Sequence, residues 1–440
     1  MLPWLGQTFR FLRRRWLTTL VLVVVLLSGV AIGLHFWAWR CYAAAERAVE
    51  DDRLADARDQ IQACLRLWRW SIPAHLLAAK IERFDQHYVT ANHYLDLCGR
   101  LMSKPNERVQ LERIFVRAET GELAEVEDGL REAMKRESPY RVEILETLAR
   151  VYAQNAQLTR AKNALDRWLE LDPNSSRAWF WTGWVEEHSK RRVEAISAYQ
   201  RCLELNPNRA KAAEYIAEGL LTEHRSSEAL PYITLLVEKH PESVAGRLLL
   251  AEYHTAQGEA PQARKVLDDL LREQPDLFAA LVQRGKLACE EGKPKAGEVW
   301  LRKALDQRPH EPLLLNTYQR CLGQLGRTAD AARVREQYEA AARDFTRLDD
   351  LFTFGVERAK GDPAVCCEVA RLLTKLDLPD EAVEWYYRAI SRDHNCVEAH
   401  KGLEKFYREH NEPERAQLHA EKLRQLQQQG ALPLPPSTQR

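Results

Sequence analysis

No surplus of either charge marks this 440-residue chain, in which 64 lysines and arginines stand against 64 aspartates and glutamates. Without a basic excess it lacks the electrostatic footprint of a nucleic-acid binder, whose affinity comes largely from neutralising phosphates. Strand patterns are nearly missing outside one apolar run near the N-terminus, so the fold class is all-α. Motifs that carry chemistry are missing too. Gly292-Lys293 runs into Pro294 and not into the end of a phosphate-cradling loop. His-Glu-x-x-His, Gly-x-Ser-x-Gly and Cys-x-x-Cys-His do not occur. These absences point away from an enzyme, and no residue is expected to bind a cofactor or a metal.

What is present is periodic. Pro173, Pro207, Pro241, Pro275 and Pro309 stand 34 residues apart. Proline has no N–H and restricts the residue before it, so each one ends a helix at the same point of a repeating unit. With proline as position 32, the best unit is Ser176 to Arg209, with Trp179 at position 4, Gly183 at 8, Ala195 at 20 and Tyr199 at 24. The alanine of position 20 recurs as Ala57 and Ala91, slips to Val126, returns at Ala161, Ala229 and Ala263, is followed by Gly297 and Ala331 and, after a larger gap, by Ala382 and Ala416. About eleven units therefore cover residues 38–424. Small residues at positions 8 and 20 let paired helices approach, and large apolar residues at 4, 7, 11 and 24 fill the space between pairs. Glycine near position 15 (Gly121, Gly258, Gly292, Gly326) closes the first helix in a left-handed conformation.

The period, together with Trp179, Gly183, Ala195, Tyr199 and Pro207, strongly resembles the tetratricopeptide repeat family. That resemblance implies a right-handed α-solenoid of 34-residue helix-turn-helix units, each touching mainly its neighbours. It also implies a groove lined by positions 2, 5, 9, 12 and 13 of the first helices. On the best unit these are Arg177, Phe180, Trp184, Glu187 and His188; the next offers Lys211, Glu214, Glu218, Leu221 and Thr222. Exposed aromatics beside carboxylates would suit a peptide with an apolar anchor and a basic flank. Packing between helices is the equal alternative for Phe180 and Trp184. Some family members grip acidic peptide tails through basic clamps, and the acidic or apolar groove positions here argue against that.

Residues 17–38 carry no acid, lysine or arginine and include thirteen Leu, Ile, Val or Phe. As a helix they would span roughly 33 Å, enough for a bilayer core. An uncleaved transmembrane anchor is expected, with the lipid bilayer as its partner; a cleaved signal peptide is the rival, but the run is longer than a usual signal core. Arg10, Arg13, Arg14 and Arg15 cluster before it, whereas Arg40, Arg47 and Arg53 follow among acids. The positive-inside rule then sets the N-terminus in the cytoplasm and the solenoid outside it, in the periplasm if the cell is bacterial.

The expected organisation is a basic tail (1–16), the anchor (17–38) and a nine-repeat solenoid (39–345). Residues 346–362 follow as an extra helix or a joint, then two further repeats (363–424) and a disordered, proline-rich tail (425–440). The joint rests on a stripe of Leu348, Leu351, Phe352 and Val356 within a 51-residue gap between Ala331 and Ala382. The function expected is a non-catalytic, membrane-anchored scaffold that binds proteins or peptides. One alternative is a cytoplasm-facing regulator of envelope assembly. It resembles membrane-tethered family members that carry paired Cys-x-x-Cys motifs, which this chain lacks. Another, of a different class, is an accessory redox or metal protein using Cys366, Cys367 and Cys396, beside His394 and His400. Nine cysteines at no framework spacing argue against a disulfide scaffold.

Overall fold

The computed structural model describes residues 4–102, 104, 106–135, 138–355 and 362–428, with only the backbone of Trp4–Thr19, Val21, Leu22, Glu122, Ala124, Lys135, Phe354 and Gly355. The architecture is all-α, a run of helical hairpins. It divides into two compact units, one ending at Glu127 and the other beginning at Asp128.

The first unit opens on α1 (Trp4–Glu50), a single helix of 47 residues. Its apolar stretch is exposed, and by length and composition it is the one described helix able to cross a membrane. The helix then continues without a break into packing against α2 (Leu54–Leu67), where Ala38, Cys41, Ala45 and Val49 are buried with Ala57, Ile61 and Cys64. The helices α3 (Ile72–Phe84), α4 (Tyr88–Leu101) and α5 (Glu107–Arg117) follow. Near the end of the apolar stretch, Trp68 Nε1 donates to His35 Nδ1 at 3.2 Å.

After α6 (Leu123–Lys135), the second unit runs through α7 (Arg141–Gln154), α8 (Leu158–Leu171), α9 (Ser176–His188), α10 (Arg192–Leu205), α11 (Ala210–Thr222) and α12 (Ser226–Lys239). It continues with α13 (Val244–Ala256), α14 (Ala260–Glu273), α15 (Phe278–Glu290), α16 (Pro294–Leu305), α17 (Pro312–Gln324) and α18 (Thr328–Asp350). The final hairpins are α19 (Pro363–Lys375) with α20 (Pro379–Arg392), and α21 (Val397–Glu409) with α22 (Pro413–Gln428). First helices of successive hairpins touch one another, as α7 does α9 and α11 does α13, and so form one layer.

The hairpin turns reveal the register. Asp52, Gln86, Gly121, Ala156, Lys190, His224, Gly258, Gly292, Gly326, Asp377 and Asn411 all have positive φ, between 53° and 99°. Four glycines adopt this conformation without penalty; the other positions hold it with a side chain, at a cost of order 1 kcal/mol each.

Residues 346–350 prolong α18 beyond the length of its counterparts, and Leu351–Gly355 form a wide helical turn. Leu348 and Leu351 are buried, and Phe352 packs edge-on to Trp385 with centroids 5.4 Å apart. Val356 lies outside the described residues. So do the tail residues 429–440, while 425–428 end α22.

Within the second unit some contacts leap over many hairpins. Arg388 Nη1 donates to the Gln154 carbonyl at 2.7 Å, and Lys190 Nζ lies 2.5 Å from Asp349 Oδ2. Ala156, in the α7–α8 turn, belongs to the same buried apolar cluster as Trp385 and Leu376.

Candidate functional site

The sequence-derived groove residues divide by depth. Arg177 and Phe180 are each only 6% exposed. Arg177 Nε donates to Glu146 Oε1 at 2.7 Å, pinning α9 to α7. Phe180 lies 5.7 Å from Tyr199 and 6.0 Å from Tyr215 between ring centroids, with the Arg209 guanidinium 4.3 Å from its own centroid. Both therefore pack between hairpins. Of the two readings of Phe180, packing is the one the structure supports.

The others reach the surface. Trp184 is half-buried and stacks on His188 at 3.6 Å between centroids, and His188 Nδ1 meets the Trp184 carbonyl at 2.8 Å. The groove wall desolvates the His188 imidazole and holds it below the usual histidine range. Glu187 accepts from the Tyr199 hydroxyl at 3.0 Å, and burial pushes its carboxyl above the usual range despite that bond. Lys211 Nζ contacts Glu214 Oε1 at 2.5 Å and lies 5.1 Å from the centre of the Tyr215 ring. Glu218 is exposed at its tip, yet desolvation raises its pKa, with Glu187 and Glu214 adding to the effect.

Two further residues share this wall. Trp184, Glu218, Glu252 and Lys286 occupy position 9 of four successive units, 34 residues apart. Desolvation raises the Glu252 carboxyl, Lys286 opposes the shift and Glu218 adds to it. Carrying the register two units further along the sequence finds both. The wall as a whole combines ring faces with partly dehydrated carboxylates.

Its rigidity comes from a close approach. A Cβ on Gly183 would meet the Tyr199 ring at 2.6 Å, so glycine at position 8 seats the aromatic of position 24. The sequence-based pairing of positions 8 and 20 is incomplete in this respect. Tyr199 in turn stacks on Tyr215 at 5.1 Å and 13°.

The cysteine cluster is only partly assembled. Cys367 and Cys396 Sγ atoms lie 3.5 Å apart, and burial pushes the Cys367 thiol well above the usual range. His394 contributes its carbonyl to His400 Nε2, and His400 Nδ1 faces His419 Nδ1 at 3.0 Å. Among the described residues no three His, Cys, Asp or Glu side chains converge as metal ligands.

Family profiles described as tetratricopeptide repeat match residues 146–210 and 220–285. The chain is similar in structure to a tetratricopeptide repeat protein from Parabacteroides merdae, at 16% identity over 56% of this chain and 97% of that one, TM-score 0.48. It is similar to PilW, a type IV pilus biogenesis factor, at 18% identity over 45% and 92%, TM-score 0.40. YrrB, a tetratricopeptide repeat protein with a peptide-binding site, aligns at 19% identity over 42% and 96%, TM-score 0.36. No curated protein matches the chain. At such identities the likeness is one of fold. The family profiles identify residues 146–210 and 220–285 as tetratricopeptide repeats, which indicate a scaffold for protein–protein interaction, and hairpins in one register continue on either side of them.

Proposed function

We propose that the protein is a non-catalytic scaffold, anchored in a membrane by α1, that captures a peptide carrying a basic side chain beside an apolar one. The observation that carries the binding site is the wall of Trp184, Glu187, Glu218 and Glu252. Dehydrated carboxylates gain from a cation that replaces lost water, and ring faces attract both cations and apolar groups.

The test is a titration of the full chain in detergent with a fluorescent peptide containing tryptophan flanked by arginines, and with its glutamate-flanked counterpart. The arginine peptide binds more tightly. Trp184→Ala and Glu218→Gln each weaken it by several-fold with the melting temperature held. A large fall in melting temperature for Trp184→Ala, or equal affinity for both peptides, removes the groove from consideration. The raised carboxyl pKa values fix the pH sign. For Glu187, Glu218 and Glu252 ionisation is lost at higher pH than for ordinary glutamates, so capture weakens as pH falls from 7 toward the ordinary glutamate pKa of about 4.3.

For the anchor, the support is an exposed apolar helix whose flanking arginines favour a solenoid outside the cytoplasm. A second reading, with the repeats in the cytoplasm, is favoured by Arg66 and Arg69. Arg66 precedes the α2–α3 turn and Arg69 lies within it, where Trp68 meets His35, and the cytoplasmic leaflet is the more anionic one. Protease added to intact spheroplasts separates the two. Digestion of the repeats supports the first, and protection until lysis supports the second. A shorter soluble product overturns the anchor.

A further inference from the structure

The connection from α2 to α3 reads Trp68-Arg69-Trp70-Ser71, and that from α8 to α9 reads Asp172-Pro173-Asn174-Ser175. Their backbones make the same bonds. The first residue's N–H donates four residues back, Trp68 to Cys64 and Asp172 to Trp168, each at 2.9 Å. The serine N–H returns to the first residue's carbonyl, at 2.9 Å in one turn and 3.2 Å in the other. Each serine Oγ then accepts from the N–H three residues on, at 3.4 Å. Turn geometry therefore calls for neither tryptophan nor arginine. The equivalent turns 206–208 and 274–276 hold Asn-Pro-Asn and Gln-Pro-Asp, as suits a turn in water.

The unusual side chains point outward. Trp70 is 69% exposed, Leu67 is 37% exposed, and Arg66 and Arg69 are exposed as well. The Arg69 guanidinium lies 5.2 Å from the centre of the Trp70 ring. From beneath, the His75 Nε2 position braces the Arg69 carbonyl at 3.0 Å. The turn's place in the first unit is set by Trp68, whose ring centroid is 4.8 Å from that of His35. His35 lies three residues before the end of the apolar run, and Phe36, Trp37, Trp39 and Arg40 beside it are exposed. Exposed indoles and guanidiniums thus gather at one level of α1. Water offers an exposed indole nothing in return, whereas a bilayer interface accepts the ring at headgroup depth and pairs guanidinium with phosphate.

We propose that this turn is a second membrane contact, which docks the first hairpin on the anionic lipid headgroups of the leaflet that α1 emerges from. The inference rests on the reading of α1 as an anchor. Two points of attachment fix the orientation of the hairpin on the bilayer, which a lone helix would leave free to pivot.

The experiment uses the full chain in vesicles of phosphatidylcholine and phosphatidylglycerol. Cys396 is replaced by serine, since the other native thiols are buried. A nitroxide is placed at Leu67→Cys or, for comparison, at Val89→Cys. Val89 is 86% exposed and lies past the far end of α3, about 20 Å from the turn. Collision with lipid-soluble oxygen over a water-soluble nickel chelate is expected to be several-fold higher at 67 than at 89. Trp70→Ser with Arg66→Glu and Arg69→Glu lowers the value at 67 to that at 89, as does omission of phosphatidylglycerol. Equal values at 67 and 89 in chains that float with the vesicles overturn the docking and leave the anchor intact. Chains that do not float overturn the anchor and the docking together.

Discussion

The turns at 68–71 and 172–175 share their backbone hydrogen bonds and differ in almost every side chain. In the second, Asp172 and Asn174 serve the turn itself, with Asp172 Oδ1 accepting from Asn174 N–H at 3.2 Å. In the first, the turn's own hydrogen bonds run through the main chain and Ser71, and the remaining side chains are available for other work. Backbone bonds alone can hold a repeat's register. Side chains at the same place then record what each hairpin faces: water and a neighbouring hairpin in one case, Trp68 against His35 of the apolar helix in the other.

Three sets of substitutions sharpen or break that comparison. The largest effect is expected behind the second turn. Glu146→Ala removes the carboxylate bound by buried Arg177, at a cost of about 3–5 kcal/mol. It is read as a lower urea midpoint at unchanged slope. In the first turn the residue that corresponds to Arg177, two after the serine, is Pro73, which can form no such ion pair. Next come the caps. Ser71→Ala and Ser175→Ala should each cost about 1 kcal/mol, because each removes one acceptor of the same geometry. Costs differing several-fold in denaturant titrations would mean that the turns are not equivalent. Smallest is the exchange of chemistry alone. Arg69→Ser with Trp70→Asn gives the first turn short polar side chains like those of the second, without a proline after Trp68, and should change stability by no more than about 0.5 kcal/mol. The lipid-facing signal at position 67 should vanish with it.

Much of the fold was legible because the repeat imposes the same demands again and again. Pro173, Pro207, Pro241 and Pro275 each fall just past the end of a helix, and position 20 is small where the paired helices cross, so these residues recur visibly. The left-handed turn residue is less visible. Glycine marks it at Gly121, Gly258, Gly292 and Gly326, while Asp52, Lys190 or His224 in the same conformation leave no signal, since the hairpin's packing imposes it. Groove depth was hidden for a related reason. Register alone cannot tell Phe180, enclosed by Tyr199, Tyr215 and Arg209, from Trp184 one turn further on. The contacts of Arg388 with Gln154 and of Lys190 with Asp349 had no signature at all. They depend on the accumulated rotation of many hairpins, and no local pattern encodes that.

Those two contacts change what kind of object the second unit is. A stack in which every hairpin holds only its neighbours behaves as a spring, yielding a little at each joint and fraying from its free ends. Bonds from α20 and the end of α18 back to the end of α7 and the turn after α9, together with Ala156 buried in the C-terminal cluster, tie two distant coils of that spring together. A load applied along the unit then meets these ties before it reaches the joints. Up to the force that breaks them, the groove between keeps its curvature, so a bound peptide meets a surface whose stiffness is set some two hundred residues away from it in sequence.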